Sequence, residues 1–321
     1  MILSMNPPYD ITPKILKLIS SISEKIGEVN ANYLSKPSPQ LRKQNRIKTI
    51  HSSLQIEGNT LTEEQITALI EKKRVIGPKK DVLEVLNAIK VYENLDEYKF
   101  SSQKSFLKAH LELMNGLIDS AGKYRKQGVG IVKGTKVEHI APPHENVPYL
   151  MKDLLEYLKD SDELTLIKSC VFHYEMEFIH PFLDGNGRMG RLWQTVILMS
   201  EYPVFEFLPF ETLISQTQND YYKSLALSDK SGKSTYFIEY MLDVIDKSLE
   251  SLLNYNNRTL KDIDRLEYFL KLGLNVFSRK DYMNIFKDLS SATASRDLKK
   301  GIELHLFESF GNLNKTKYLV K

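Results

Sequence analysis

The chain has 321 residues, of which 42% are hydrophobic, with 44 Lys and Arg against 41 Asp and Glu. This length and apolar content allow a sizeable hydrophobic core and more than one domain. No apolar run approaches the length of a membrane span, and residues 1–13 lack the charged and apolar regions of a signal peptide. A net charge of +3 gives no argument for a nucleic-acid partner. The single cysteine, Cys170, excludes an internal disulfide, and a cytoplasmic location is expected.

A helical pattern runs from Leu41 to Ile56 and is followed by Gly58. Its apolar positions recur at helical spacing, and a glycine directly after a helix is a common stop. Thr62 then stands three residues before Gln65, which is the spacing of a capping box. Glu57 lies at the C-terminal end of the first helix, where the helix dipole disfavours an acid. We therefore expect a cationic partner for Glu57.

Residues Val129–Ile140 alternate roughly between apolar and polar side chains around a glycine turn, which predicts a β-hairpin. His139 and His144 invite a zinc interpretation of this region. Since the chain has one cysteine and no H-E-x-x-H motif, a zinc site is disfavoured.

The densest chemistry lies in residues 180–191, which read His-Pro-Phe-Leu-Asp-Gly-Asn-Gly-Arg-Met-Gly-Arg. Apolar periodicity predicts a helix from Leu164 to Phe178, stopped by Pro181, and a second helix from about Arg188. The glycine turn leaves free N–H groups at the N-terminus of the second helix, which favour an anion. An acid that can bind Mg²⁺ and two arginines suit a polyphosphate, and a histidine suits deprotonation of a hydroxyl. The segment predicts a nucleotide-handling transferase.

This segment resembles the signature of the Fic family, HPFx[DE]GNGRxxR, and matches it at every defined position. The resemblance implies a mainly α fold, a compact helical bundle with a β-hairpin flap. It also implies transfer of AMP from ATP to a Ser, Thr or Tyr hydroxyl of a target protein or of the chain itself. ATP would be the co-substrate, and Mg²⁺ the metal.

The resemblance also implies roles for individual residues. His180 would be the general base, and Asp184 would hold Mg²⁺ between the α- and β-phosphates. The expected nucleotide-binding residues are Gly185, Asn186 and Gly187 in the anion-binding turn, Arg188 beside the reacting phosphates, Gly190, and Arg191 at the γ-phosphate. In the family an aromatic residue and an amide further downstream help to surround the adenine, which makes Tyr222 and Asn219 candidates. A core tyrosine is an equal alternative there.

Two other segments resemble parts of Fic proteins. The stretch Ser53-x-x-x-Glu57-Gly58-Asn59 resembles the inhibitory motif [ST]xxxE[GN]. In that motif the glutamate pairs with the second signature arginine, here Arg191, and displaces the γ-phosphate. The predicted hairpin resembles the flap that holds the target segment, and residues 122–125 resemble its lead-in. The expected flap residues are Lys133, Gly134, Thr135 and Lys136.

Residues 258–321 carry 13 Lys and Arg against 8 Asp and Glu, a net charge of +5. The polar run Asn254–Thr259 predicts a linker before them. Two helices at Asp281–Asp288 and Ala292–Lys300, followed by strands at Leu304–Phe307 and Lys317–Val320, resemble a winged helix. Such modules read DNA grooves when they are basic and dimeric, and in a transferase they can equally select a protein target or pack on the core.

The sequence therefore predicts an N-terminal helical region with an inhibitory helix (1–100), a Fic catalytic core (101–253) and a winged-helix-like domain (258–321). The favoured function is a protein adenylyltransferase that is autoinhibited through Glu57 and Arg191. Two alternatives stay open. The chain could be a DNA-binding transcriptional regulator with a Fic core as sensor or self-modifier, or an enzyme that removes AMP, because Glu57 could position a water. Whether the chain forms a homodimer is also left open.

Overall fold

The computed structural model describes residues 7–31, 39–133, 136–257, 262–270, 272–286, 289–311 and 316–320. The chain divides into two compact units, Met1–Leu253 and Asn254–Lys321, and each has a hydrophobic core of its own. Residues on both sides of position 100 contribute to the core of the first unit. Within the described ranges, no helix combines the length and the apolar character needed to cross a membrane.

The described part of the first unit is mainly α-helical, as the sequence predicts. Its helices are α1 (Pro13–Ala31), α2 (Pro39–Ile56), α3 (Glu63–Ile70), α4 (Lys79–Glu93), α5 (Gln103–Leu113), α6 (Val147–Asp160), α7 (Thr165–Ile179), α8 (Asn186–Met199), α9 (Glu211–Gln216), α10 (Gln218–Ser231) and α11 (Thr235–Asn257). Short 3₁₀ segments lie at Leu95–Glu97, His144–Asn146 and Pro203–Glu206. Helix α11 continues four residues beyond the boundary between the units.

The predicted hairpin is confirmed as two antiparallel strands, β1 (Gly130–Lys133) and β2 (Lys136–Ile140). Its register shifts between Ile131 and Val132. Lys133 and Lys136 are cross-strand partners next to the turn. The other two expected flap residues, Gly134 and Thr135, lie outside the described residues.

The signature segment begins directly after α7 and continues into the first turns of α8. The observed α7 is shifted by one residue from its prediction, and α8 begins at Asn186, two residues earlier than predicted. Trp193 of α8 is fully buried, with its ring in edge contact with Phe106 at a centroid distance of 5.0 Å. Its Nε1 donates to the carbonyl of Phe100 at 2.8 Å. These contacts fix α8 against the start of α5 and thereby fix the loop that precedes α8.

The ends of α2 and α3 follow from local sequence. Helix α2 ends at Ile56, and Gly58 adopts the left-handed region with φ of 90°. The amide of Asn59 then donates to the carbonyl of Leu54 at 3.1 Å, which closes the last turn. The capping box predicted at Thr62 is present at the start of α3. This geometry determines where the segment after α2, including Glu57, leaves the helix.

The described part of the second unit combines three helices with an antiparallel sheet of strand order β3-β5-β4. The elements in chain order are α12 (Asp262–Leu270), β3 (Val276–Ser278), α13 (Arg279–Ile285), α14 (Ser291–Glu303), β4 (Phe307–Phe310) and β5 (Lys317–Val320). The predicted α14 and β5 are confirmed within a few residues, and so is α13 up to Ile285, since residues 287 and 288 lie outside the described residues; α12 and β3 were not predicted. The winged-helix assignment stays a prediction.

Two boundaries predicted around this unit are wrong. The linker predicted at Asn254–Thr259 is helical through Asn257, as the end of α11, because a run of polar side chains does not by itself stop a helix; residues 258 and 259 lie outside the described residues. The strand placed at Leu304–Phe307 begins only at Phe307. Leu304 instead caps α14, and its amide donates to the carbonyl of Lys300 at 2.9 Å.

An ion pair inside the second unit orients α14. Asp297 is 2% exposed and accepts from both Nε and Nη2 of Arg265, at 2.6 and 2.8 Å. The hydroxyl of Tyr282 donates to the same carboxylate at 3.1 Å. The acid of α14 therefore faces the core, while Arg296 and Lys299 are exposed.

The close approach of α7 and α8 at Gly190 yields a stability prediction. A Cβ at this position would lie 2.6 Å from Cδ2 of the fully buried His173. We expect Gly190→Ala to lower the free energy of unfolding by about 1–3 kcal/mol, because overpacking forces neighbours to shift. Thermal unfolding followed by circular dichroism measures the effect.

Gly27→Ala is the matched control for this substitution. Gly27 lies inside α1, and apart from its chain neighbours and the backbone of its own helix, no atom of the described residues lies within 4 Å of the position that a Cβ would take there. The same change there should raise the free energy of unfolding by about 0.5–1 kcal/mol, because glycine is a poor helix former. A Gly190→Ala protein as stable as the parent would contradict the packing argument.

Candidate active site

His180 follows the last residue of α7 and adopts a left-handed backbone conformation, with φ of 50° and ψ of 61°. This conformation costs a non-glycine residue roughly 1–2 kcal/mol, so other contacts must hold it. The carbonyl of His180 accepts from Nε of Arg125 at 2.8 Å. The next carbonyl, that of Pro181, accepts from the Arg125 amide at 2.9 Å. The chain turns here from α7 into the signature loop.

The loop is held from inside by Asn186 and His110. The Asn186 side chain accepts from the Phe182 amide and donates to the Phe182 carbonyl, both at 2.9 Å. The Phe182 ring stacks on the imidazole of His110 at a centroid distance of 3.5 Å. His110 Nδ1 accepts from the Gly122 amide at 2.8 Å, so Nε2 donates to the Asp184 carbonyl at 3.0 Å. Burial lowers the pKa of His110 to about 4, which keeps it neutral in this role.

Asp184 fits a magnesium ligand in its donor atoms and exposure. Its Oδ1 accepts from the Gly185 amide and from Nη2 of Arg188, both at 2.6 Å. Its side chain is 44% exposed, and Oδ2 accepts no hydrogen bond from the described residues. Among those residues no group of three or more metal-binding side chains occurs. Mg²⁺ usually takes one or two carboxylates together with phosphate oxygens and waters, so a single open carboxylate is adequate.

Arg188 forms an ion pair with Glu84, an acid that was not predicted from the sequence. Its Nη1 donates to Glu84 Oε1 at 2.8 Å, and the other oxygen of Glu84 accepts from Nδ2 of Asn59 at 2.9 Å. The side chains of Arg188 and Glu84 are only 5% and 7% exposed. Glu84 shares the buried face of α4 with Ala88 and Val91. An acid in phase with apolar residues of a helix is the signal that could have identified it.

Arg191 contacts Ser53 and Glu57 of the predicted inhibitory motif. Its Nε donates to the Ser53 hydroxyl at 3.1 Å, and Nη2 donates to the Ser53 carbonyl at 2.9 Å and to Glu57 Oε1 at 2.7 Å. The Arg191 side chain is 1% exposed and that of Glu57 is 27% exposed. Burial opposes a charged guanidinium, but the Glu57 carboxylate reverses the effect and raises the pKa of Arg191 above its ordinary value.

The Glu57 carboxylate also lies against the first turn of α8. A Cβ at Gly187 would lie 2.6 Å from Glu57 Oε1 and 3.1 Å from Nη1 of Arg191. Gly187 is therefore needed for this close approach. The N-terminal end of a helix attracts anions through its free N–H groups and its dipole. In this structure a carboxylate of the chain itself lies where the sequence predicts an anion.

A second acid, Glu211 of α9, is buried beside Arg191. Its side chain is fully buried. Burial raises the pKa of Glu211 to about 8, although Arg191 and Thr49 act in the opposite direction. Glu211 is therefore mostly protonated at neutral pH and adds little negative charge beside Arg191.

The predicted adenine residues lie on the exposed face of α10. Tyr222 is 43% exposed and Asn219 is exposed, whereas Tyr221 is 2% exposed. The hydroxyl of Tyr221 lies 3.1 Å from Nε2 of His173, so this neighbour is the core tyrosine. Gln218 of the same helix donates to the carbonyl of Ile56 at 3.0 Å, which joins α10 to the end of α2. Contact of Tyr222 or Asn219 with adenine stays a prediction.

The fold and the glycine turn define a helical bundle protein built around a glycine-rich loop between two packed helices. Residues 100–198 match the model of the Fic/DOC family. The crystal structure of a Fic family protein from Desulfovibrio desulfuricans G20 is 40% identical, with a TM-score of 0.77, over 99% of this chain and 98% of that chain. This chain belongs to the Fic family.

Other relatives are more distant. The structure of Fic-1 (aa134–508) from Caenorhabditis elegans shares the fold at a TM-score of 0.64 and 22% identity, over 75% of this chain and 72% of that chain. "Protein adenylyltransferase Fic" of Nematostella vectensis is 27% identical over 261 residues, which are 75% of this chain and 58% of that protein. The chain spans about half the length of the curated relatives that it matches.

The buried Glu211 predicts a pH-dependent stability. Below its ordinary pKa of 4.5 the carboxyl is protonated in both the folded and the unfolded chain. As pH rises from 4.5 to about 8, the unfolded chain loses this proton while the folded chain keeps it, so stability falls. Glu211→Gln should remove this contribution, and its Tm relative to the parent should increase as pH rises through this window. Thermal unfolding between pH 5 and pH 9 provides the measurement.

Glu93→Gln, at an exposed acid of α4, is the control for this substitution. Its Tm difference from the parent should stay nearly constant with pH. A constant difference for Glu211→Gln as well would contradict the neutral state inferred for Glu211.

Proposed function

We propose that this chain is a protein adenylyltransferase, which transfers AMP from ATP to a hydroxyl group of a protein, and that Glu57 restrains the reaction. The observation that carries the proposal is the ion pair of 2.7 Å between Glu57 and Arg191, beside the complete Fic signature. The adenylyltransferase name of several relatives supports the reaction type.

In the proposed reaction the target hydroxyl oxygen attacks the α-phosphorus of ATP. The bond between the α-phosphorus and the oxygen bridging to the β-phosphate breaks, and pyrophosphate leaves. His180 accepts the hydroxyl proton, a step that suits an imidazole near neutral pH. Arg188 and the amides at the start of α8 stabilise the negative charge on the phosphates. Asp184 would hold Mg²⁺, which would supply charge neutralisation for the phosphates.

The proposed restraint follows from competition for one guanidinium. The hydrogen bonds that Arg191 makes to Ser53 and Glu57 leave few of its donors for a phosphate. Glu57 belongs to the same chain, so its effective concentration at Arg191 is about millimolar or higher. ATP would then bind with its γ-phosphate displaced and its α-phosphate out of line for attack. Removal of AMP and DNA binding by residues 258–321 stay predictions of the sequence.

Isotope labelling and a histidine variant test the chemistry. Protein should acquire label from α-labelled ATP and none from γ-labelled ATP, because AMP is the transferred group. His180→Ala should reduce transfer by about 10²–10⁴-fold through loss of the general base. Its affinity for a fluorescent ATP analogue should stay within twofold of the parent, since the phosphates are held by other residues.

His144→Ala, outside the signature, is the matched control and should leave transfer unchanged. Label from the γ-position would indicate a kinase rather than an adenylyltransferase. Near-normal transfer by a folded His180→Ala protein would show that His180 is not the base.

Variants of the ion pair test the restraint. Glu57→Gly should raise AMP transfer, including self-modification, by more than about tenfold, equivalent to ~1.4 kcal/mol. Arg191→Ala should lower transfer, and the double variant should behave like Arg191→Ala, because the restraint then has no partner. Radiolabel incorporation into protein measures all three.

A thermal-shift series gives a second test of the pair. Glu57→Gly should have a lower Tm than the parent without nucleotide, because a buried cation loses its counter-charge. ATP should raise the Tm of this variant more than that of the parent, since the nucleotide can replace the missing anion. Glu93→Gln should match the parent in both assays. Glu57→Gly with parental activity and an unchanged ATP response would mean that Glu57 is only a solvated helix end.

A further inference from the structure

Arg125 has an unusual environment for a buried arginine. It is 2% exposed, and its guanidinium hydrogen bonds within the described structure all go to backbone carbonyls. Burial lowers the pKa of Arg125, while Glu145 acts in the opposite direction. A charged side chain is expensive to bury, so its partners must compensate for the lost hydration. The positions of those carbonyls indicate what the residue does.

Two of the carbonyls belong to the end of α7. Nε donates to His180 at 2.8 Å, and Nη2 donates to Ile179 at 3.3 Å. The last carbonyls of a helix have no partner within the helix, and a cation there also interacts favourably with the helix dipole. Arg125 thus caps α7 at the residue whose left-handed conformation turns the chain into the signature.

The other two carbonyls lie at the two ends of the hairpin. Nη1 donates to Gln127 at 2.9 Å, before β1, and Nη2 donates to Pro142 at 2.6 Å, after β2. One planar group therefore connects three separate stretches of backbone. Lysine could not reproduce this arrangement, because its single ammonium nitrogen cannot present donors along the fork of a guanidinium.

We propose that Arg125 is a positioning residue, whose guanidinium holds the backbone of His180 and both ends of the β1–β2 hairpin in a fixed relation. The inference rests on the proposed function, in which His180 is the base and the hairpin holds the target segment. A hydroxyl docked along the hairpin can reach the imidazole only if these two parts keep their spacing. A misplacement of about 1 Å in such a geometry can reduce a rate by about 100-fold.

Hydrogen exchange tests the structural half of the proposal without any activity. In Arg125→Gln, amide exchange should rise together in peptides that cover 126–133, 136–143 and 179–184. Exchange in α8 should match the parent. Lys126→Gln, at the exposed neighbour, is the control and should change none of these peptides. Faster exchange confined to 123–127 would overturn the proposal.

Kinetics in the Glu57→Gly background test the functional half. Arg125→Lys and Arg125→Gln should both lower kcat for AMP transfer to protein by about 10- to 100-fold. Affinity for a fluorescent ATP analogue and KM for ATP should stay within twofold, because none of the described hydrogen bonds of Arg125 reaches a signature arginine or Asp184. An unchanged kcat, or equal losses of ATP affinity and kcat, would overturn the positioning role.

The hydrogen-exchange and kinetic experiments together distinguish failure of this inference from failure of the proposed function. If Glu57→Gly transfers no AMP to protein, the proposed function fails, and hydrogen exchange alone decides whether Arg125 couples the hairpin to His180. If Arg125→Gln does not fold, Arg125→Lys, which keeps the charge, is used for both measurements. Global unfolding of both variants would make Arg125 a requirement of the fold and overturn the inference.

Discussion

The site depends on a buried positive charge. Arg191 is almost entirely removed from water, and a guanidinium in that position needs an anion to offset its lost hydration. The structure supplies Glu57 from the end of α2, while Glu211, another acid near Arg191, is kept mostly neutral by its own burial. The need for a counter-charge at Arg191 therefore links the N-terminal helices to the signature. An anion from outside would meet the same need only if Glu57 moved.

The absence of a side chain at Gly187 and at Gly190 leaves room for the groups that pack around the Arg191 guanidinium. At Gly187 the open space admits the Glu57 carboxylate to the first turn of α8, where a phosphate is also favoured. At Gly190 the open space lets α8 approach His173 on α7. The signature glycines therefore serve packing and anion approach together. A substituent at Gly187 would affect the internal carboxylate and an incoming phosphate alike.

Local secondary structure could be predicted from the sequence, whereas ion pairs and hydrogen bonds between distant segments could not. Periodicity and capping residues predicted α2, α7 and the start of α3, because those signals lie within a few residues of each other. The pairing of Glu57 with Arg191 was expected only through the resemblance to Fic proteins. Glu84 was missed, since its pairing with Arg188 joins segments 104 residues apart and depends on how α4 packs. Arg125 was noticed only as part of a lead-in, because its partners are backbone carbonyls, which have no sequence signal.

Both signature arginines depend on the same short stretch after α2. Glu57 pairs directly with Arg191, and Asn59, two residues later, donates to the Glu84 carboxylate that binds Arg188. Arg188 in turn donates to Asp184, the residue proposed to hold magnesium. A displacement of residues 57–59 would therefore remove the anion from Arg191 and, in the same movement, free one oxygen of Glu84. Among the described contacts, residues 57–59 act on Arg191 directly through Glu57, whereas their effect on Asp184 passes through Glu84 and Arg188.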